Sequence, residues 1–327
     1  MKIGEVEIRD RAVILAPMED VTDGVFRKMC RSFGADLVFT EFVSADALIR
    51  KVNRTMNKIQ IDPEERPVAI QIYGKDPVAM AEAARIAEEA SPEIIDINFG
   101  CPARKIAVKG AGAGLLKNIP LMLEITRRVV GAVKTPVTVK TRLGWDDNSR
   151  QIKDIALQLA DTGIKGLTIH GRTREQMYKG TADWSLIKEV KQMPEITFPV
   201  IGNGDICTPG NVIDAFENYK VDAVMVGRAS IGAPWIFKEM TEYLKSGEAK
   251  VWFTDSDKIG ILKSMLRQNC EQSGEVRGIL HTRRHLATSP LFKGLDNFRT
   301  LRIKMLRSES MVEIFSIMDQ INELYFT

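Results

Sequence analysis

A chain of 327 residues with 44% hydrophobic and 27% charged residues has the make-up of a folded globular protein and excludes a disordered or fibrous one. Its formal net charge of +3 is too small to name a partner from the total, so charge has to be read by position. Four scattered cysteines without a CxxC pair and only three histidines argue against a zinc or iron–sulfur site, and no metal is expected.

No apolar run approaches the ~20 residues of a membrane helix. With no secretory signal at the start, a reduced cytoplasmic setting without a membrane partner is the expectation. Short β-branched runs then alternate with longer helical patterns. The run from Ile3 to Ile8 reads as a hairpin plugging the bottom of a barrel. Strands are expected at Val13–Pro17, Leu37–Glu41, Val68–Tyr73, Ile94–Asn98, Val137–Thr141, Gly166–His170, Pro199–Asn203 and Ala223–Gly227. Helices are expected at Val78–Glu89, Pro120–Val133, Ile152–Asp161, Ser185–Gln192 and Pro209–Asn218. Asp76-Pro77 and Thr208-Pro209 each set a polar cap before a first-turn proline.

Consecutive apolar residues, as in Ile94-Ile95 and Val224-Met225-Val226, fit parallel strands buried on both faces. Eight strands in a β-then-α rhythm predict an α/β fold, a (β/α)8 TIM barrel, with a doubly wound open sheet as the competitor. The rhythm stops near Tyr243. Leu301, Met305, Leu306, Met311, Ile314, Phe315, Met318 and Ile321 then recur at helical spacing. The expected division is a barrel over 1–243 and an all-helical domain over 244–327.

Active sites of such barrels lie at the C-terminal ends of the strands. Glu41, Gln71, Asn98, Lys140, Arg142, His170, Arg172, Asn203, Asp205 and Arg228 gather there. The seventh and eighth strands end in Gly202-Asn203-Gly204-Asp205 and Gly227-Arg228, where glycine backbone could approach an anion and Arg228 add a charge-assisted contact. Lys140, inward from an apolar strand, needs a partner to offset its desolvation, and the edge of a flavin ring would supply one. Gln71 could offer such a ring both a donor and an acceptor. His170 reads equally as a cofactor contact or a satisfied core histidine. Cys101, in Asn98-Phe-Gly-Cys101-Pro102, stands on a glycine-rich basic loop, where it is either inert packing or a group that donates a proton or attacks an electrophile.

The runs Ala16-Pro17-Met18-Glu-Asp-Val-Thr22-Asp23, Asp96-Ile-Asn98-Phe-Gly100-Cys101-Pro102, Lys140-Thr-Arg142, His170-Gly-Arg172-Thr-Arg174 and Gly202-Asn-Gly-Asp205 resemble those of the tRNA-dihydrouridine synthases, most of all the bacterial DusB-like branch. The resemblance spans about residues 10–240 and, more loosely, the tail. It implies an FMN-binding barrel and a helical tRNA-binding domain, with NADPH (or NADH) reducing the flavin. Hydride then passes to C6 of a uracil and Cys101 protonates C5 as general acid. Pro17, Met18, Gln71, Lys140, His170, Asn203, Gly204, Asp205, Gly227 and Arg228 would hold FMN. Asn98, Arg142 and Arg172 would lie near the uracil or the flavin's polar edge. The segment Arg284–Phe292 departs from the family pattern, which has an aromatic pair there.

Charge supports an RNA partner separately. Between Arg277 and Arg307 stand eight basic residues, among them Arg299 and Arg302, against one acid, Asp296. A monomer is expected. The rival readings are an FMN barrel acting on a small molecule such as dihydroorotate, a tRNA-binding or tRNA-folding protein whose flavin activity is vestigial, and a phosphate-substrate isomerase barrel.

Overall fold

The computed structural model describes residues 1–248 and 250–326. Eight parallel strands run at Ala12–Leu15 (β1), Val38–Phe39 (β2), Val68–Tyr73 (β3), Ile94–Asn98 (β4), Val137–Arg142 (β5), Leu167–His170 (β6), Val200–Asn203 (β7) and Ala223–Val226 (β8). From β2 to β8 each pairs with the next, β8 pairs with β1, and a parallel bridge between Ile14 and Leu37 brings β1 to the start of β2. The sheet therefore closes as a TIM barrel. The second strand is shorter than expected because the chain leaves the ladder after Thr40 and re-pairs with β3 only at Val43–Ser44.

Strand side chains alternate in direction, and here the alternation sorts them by function. Outward residues such as Val68, Ile70 and Ile72, with Val139 and Val224, pack under the helices. Inward residues change character along the barrel. Ala12, Ile14, Ala69, Ile94, Ile201 and Ala223 form an apolar lower layer with Ile3 and Ile8. The N-terminal hairpin, Lys2–Ile3 paired with Val6–Glu7, closes that end. Further toward their C-terminal ends, the strands turn Gln71, Asp96, Asn98, Thr138, Lys140, Thr168, His170 and Asn203 inward. The barrel is thus apolar at its base and polar at its mouth.

The expected caps form. Asp76 accepts from Ala79 N before the helix Pro77–Glu89, and Thr208 makes a capping box with Asn211 before Pro209–Glu217. The helix Ile236–Ser246 runs through the expected 243/244 junction and stops at Gly247, which has φ of 72°. Beyond it the described residues form helices at Asp255–Ser273, Glu275–Thr288, Arg299–Arg307 and Met311–Tyr325. Met305, Ile314, Met318 and Ile321 are buried as their spacing predicts, while Leu301, Leu306, Met311 and Phe315 pack at the edge. Gly278 lets the first two helices cross closely, because a Cβ there would lie 2.4 Å from Cys270 N.

The tail docks on the barrel by specific polar contacts. His285 Nδ1 accepts from Gly232 N (3.1 Å), Ser289 Oγ donates to Gly232 O (2.6 Å), and the His285 ring sits 4.4 Å from that of Phe26. Arg284 donates to Glu19 O at 3.0 Å, which ties the tail to the loop after β1. Leu291 and Phe292, in the segment that departs from the family pattern, turn into the core, with Phe292 stacked on Phe298 at 5.4 Å.

Gly202 shows how tightly the outer layer is filled. A Cβ there would fall 2.1 Å from Cζ3 of Trp184, whose indole lies against the strand and donates to Gly204 O at 3.0 Å. We expect Gly202→Ala to lower stability by about 1–3 kcal/mol, as overpacking does. Urea denaturation measures this, and an unchanged midpoint would show that the indole moves freely.

Candidate active site

At the mouth, three adjacent strands build one connected chain of hydrogen bonds. Gln71, Asp96 and Thr138 are register neighbours on β3, β4 and β5. Asp96 is fully buried, and its carboxylate accepts from Gln71 Nε2 (2.6 Å) and Thr138 Oγ1 (2.6 Å). Gln71 Oε1 accepts from Asn98 Nδ2 at 2.8 Å. Asn98 Oδ1 in turn accepts from Gly100 N (3.0 Å) and Cys101 N (2.8 Å). Burial raises the Asp96 carboxyl to about 6 despite these bonds and the Lys140 charge. One amide hydrogen and one lone pair of Gln71 are spent inside this chain, so it has one of each left for a ligand rather than the full set.

Lys140 lies beside this chain. Its ammonium makes no hydrogen bond or ion pair with a described residue, and burial together with the neighbouring Arg142 charge lowers it to about 8. Cys101 is half-buried at the loop entrance. Burial raises its thiol, against the opposing pull of Ala103 N and the Arg142 and Lys140 charges. Near neutral pH it therefore keeps its proton, which suits an acid more than a nucleophile.

On β6 and β7, Asn203 Nδ2 donates to Met225 O at 2.7 Å, which turns its Oδ1 toward His170 Nδ1 at 2.8 Å. Burial and the Arg142 and Lys140 charges hold His170 well below the usual imidazole range. A neutral ring donating through Nδ1 leaves a lone pair on Nε2, and that nitrogen is buried without a partner among the described residues. His170 is therefore not a satisfied core histidine.

The seventh and eighth strand ends behave differently from each other. Gly204 has φ of 123°, and Asp205 follows at 56°. Asp205 bonds Arg172 Nη2 (2.6 Å), Ala182 N (2.8 Å) and Arg228 Nη2 (3.0 Å). Desolvation pulls its carboxyl up, but these bonds and charges outweigh it and leave the group lowered. The backbone amides of Gly204, Gly227 and Arg228 donate to no acceptor among the described residues. Such amides beside an arginine are what an anion requires. Gly202, grouped with this loop from the sequence, belongs instead to the Trp184 packing.

Arg142 and Arg172 act mainly as loop ties. Arg142 donates to Gly100 O (2.7 Å), Thr173 O (3.0 Å) and Met177 O (2.9 Å), and burial lowers it to about 10. Arg172, fully buried, donates to Lys179 O (2.9 Å) and Gly180 O (2.5 Å) besides Asp205, leaving Nη1 without a partner among the described residues. Pro17 and Met18 are half-buried on the loop after β1. A Cβ on Gly227 would lie 3.7 Å from the Met18 sulfur.

Sequence reading missed Tyr178. Its half-exposed ring lies 5.1 Å from the Arg228 guanidinium, 5.6 Å from that of Arg142 and 6.4 Å from the His170 ring, and so spans the mouth. It comes from an irregular loop with no periodic signal. Asp96 was passed over too, although it opens the motif that contains Asn98 and Cys101. The rim also carries the carboxylates Glu19, Asp20 and Glu41. Lys58 bonds Glu19 (2.8 Å) and Glu41 (3.0 Å), which offsets the charge of that group with an ammonium.

Arg299 and Arg302 are exposed on Arg299–Arg307, away from this network. Arg302 spends one donor on Ala287 O at 3.1 Å. Of the basic run, Arg283 is half-buried and bonded to Ser308 O at 3.0 Å, whereas Arg277, Lys293, Lys304 and Arg307 are exposed.

Known proteins resemble this chain in fold and in sequence. Morphinone reductase, as a variant in complex with tetrahydroNAD, matches with a TM-score of 0.55 at 12% identity over 79% of this chain and 92% of its own. A variant of NCR from Zymomonas mobilis matches at 0.55 and 15%, over 74% and 89%. These likenesses concern the fold. In sequence, the tRNA-dihydrouridine synthase B of Pseudomonas aeruginosa is 40% identical over 91% of this chain and 90% of its own length. That of Shewanella oneidensis is 36% identical over 98% and 97%. The family model described as dihydrouridine synthase matches residues 14–322, and the chain belongs to that family.

Proposed function

We propose that the protein is an FMN-dependent tRNA-dihydrouridine synthase that reduces the C5–C6 bond of a uridine in tRNA, with NADPH or NADH as reductant and Cys101 as general acid. Residues 1–243 would form the FMN-binding catalytic domain and 244–327 the tRNA-binding domain. The observation that carries this reading is the company kept at one barrel mouth: a protonated thiol, an unpaired lysine and a neutral histidine with a free, buried lone pair.

These residues fit FMN. The free amides of Gly204, Gly227 and Arg228, with the Arg228 guanidinium, would take its phosphate. Lys140, the remaining donor and acceptor of Gln71 and the His170 lone pair would face its ring, with Pro17 and Met18 packing beside it and Asn203 and Asp205 holding the surrounding loops. When bound, the flavin supplies the hydride that adds at C6.

The chain's own residues do the rest. The Cys101 Sγ proton passes to C5, and the loop bonds from Asn98 keep that thiol in place while it does so. A thiol raised by burial suffices, because hydride addition makes C5 strongly basic. Arg142 and Arg172 hold the loops that border the uracil, and Asn98 stands next to it. The target base has to leave its stack to reach the mouth. Arg299 and Arg302, with the exposed cations around them, would neutralise backbone phosphates. The relatives named above carry tRNA and dihydrouridine in their names, which favours this substrate over a small molecule.

Purified protein is expected to show flavin absorbance, which a phosphate-substrate isomerase would lack. Cys101→Ala should keep bound flavin and its reduction by NADPH, yet lose at least ~100-fold in dihydrouridine formation, the scale of a lost general acid. Undiminished turnover on tRNA by that variant would remove the acid role. Charge reversal at Arg299 and Arg302 is expected to weaken tRNA binding and flatten its salt dependence by roughly one to two in log–log slope, with flavin content unchanged. Binding titrations at several salt concentrations measure this, and an unaltered slope would place the RNA elsewhere.

A further inference from the structure

The chain of bonds at the mouth has a direction, and its direction is set at one end. An ionised carboxylate only accepts hydrogen bonds. Asp96, fully buried between Gln71 and Thr138, therefore requires the NH2 of Gln71 to face it at 2.6 Å. That turns Gln71 Oε1 to Asn98, so the NH2 of Asn98 must face Gln71 at 2.8 Å. Asn98 Oδ1 is then left for the amides of Gly100 and Cys101, at 3.0 and 2.8 Å. Were the first member a donor toward Gln71, both amides would flip, and the Asn98 NH2 would confront two N–H groups with nothing to accept them.

We infer that Asp96 is a positioning residue: its carboxylate sets the orientation of the Gln71 and Asn98 amides and, through them, fixes Cys101 at the mouth. The carboxylate does not touch the Cys101 loop and acts through its two neighbours. A buried polar chain in which each member is held by its neighbours enforces one arrangement. Its bearing on turnover rests on the role of Cys101 proposed above; its hold on the loop does not.

The test reverses the polarity of the relay. Asp96→Leu removes the acceptor from Gln71 and should undo the anchor. Asn98→Asp should undo it as well, because its new carboxylate would then face Gln71 Oε1. Adding Asp96→Asn to Asn98→Asp restores a complete chain running the other way. The new amide at position 96 donates to Gln71 Oε1, and Gln71 Nε2 donates to the new carboxylate at position 98. That carboxylate still accepts from the backbone of Gly100 and Cys101.

Amide hydrogen exchange of the Gly100–Cys101 pair, read by mass spectrometry of the holoenzyme, should speed up about five- to tenfold in each single variant, the worth of one hydrogen bond. In the double variant it should return to within about threefold of the parent, a non-additivity that simple damage to the core does not produce. The Asn98→Asp single also controls for the new charge beside Cys101. Singles that exchange at the parent rate, or a double no slower than the singles, would overturn the inference.

Should a single variant fail to fold, Gln71→Leu cuts the relay without a buried charge and is expected to speed exchange by the same amount; parent-like exchange there counts against the inference equally. With tRNA, kcat should fall in Asp96→Leu more than KM rises. A fully active Cys101→Ala would sink the acid role, yet the exchange cycle would still decide the relay.

Discussion

A carboxylate with no access to water has to be bonded by its neighbours, and at the mouth of this barrel that requirement propagates outward. Asp96 stands where the inward-facing residues change from apolar to polar. Below it, Ile94 and Ile201 pack with the N-terminal hairpin and need nothing but contact. Above it, every amide and guanidinium has to be placed by a partner, because an unpaired one costs about 1–3 kcal/mol. Gln71, Asn98, Asn203 and Arg172 are so bonded. The few groups that are not, His170 Nε2, Arg172 Nη1, the Lys140 ammonium and the amides after β7 and β8, thereby mark where a ligand completes the structure.

The same logic separates two sides of the mouth. One side, after β7 and β8, offers backbone amides and Arg228 to an anion, with Asp205 fixing the arginines. The other, after β4, carries a thiol on a loop held by Asn98 and bordered by the carbonyl ties of Arg142. Lys140 and His170 lie between them, and the lysine's charge adds to burial in keeping the imidazole neutral. The helical tail joins this layout through Arg284 on the loop that bears Met18, so the tail and the mouth share one support.

The strands and their mouth were legible because burial on both faces leaves a plain signal. Val68–Tyr73 and Ile94–Asn98 come out with the residues that their apolar runs indicate. Val38–Phe39 does not, since the chain leaves the ladder after Thr40 and pairs again only at Val43–Ser44. Glycine was the least readable residue. Gly204 has a positive φ that glycine adopts freely, but Gly202 is small only because Trp184, 18 positions earlier, lies across it. Tyr178 and the inward turn of Arg283 depend on loop geometry and helix crossing, neither of which leaves a periodic mark. Asp96 was visible but had no evident partner, because its bonds run sideways to strands that sequence order separates.

Among the described residues no helix is long and apolar enough to cross a membrane. The central claim is that this mouth reduces uridine in tRNA. Mapping dihydrouridine across tRNA from cells with the gene deleted, and again after its return on a plasmid, tests that most directly. The account predicts that one or more dihydrouridine positions vanish on deletion and reappear on complementation. An unchanged dihydrouridine map in the deleted cells, where no second family member is present to mask the loss, would contradict it.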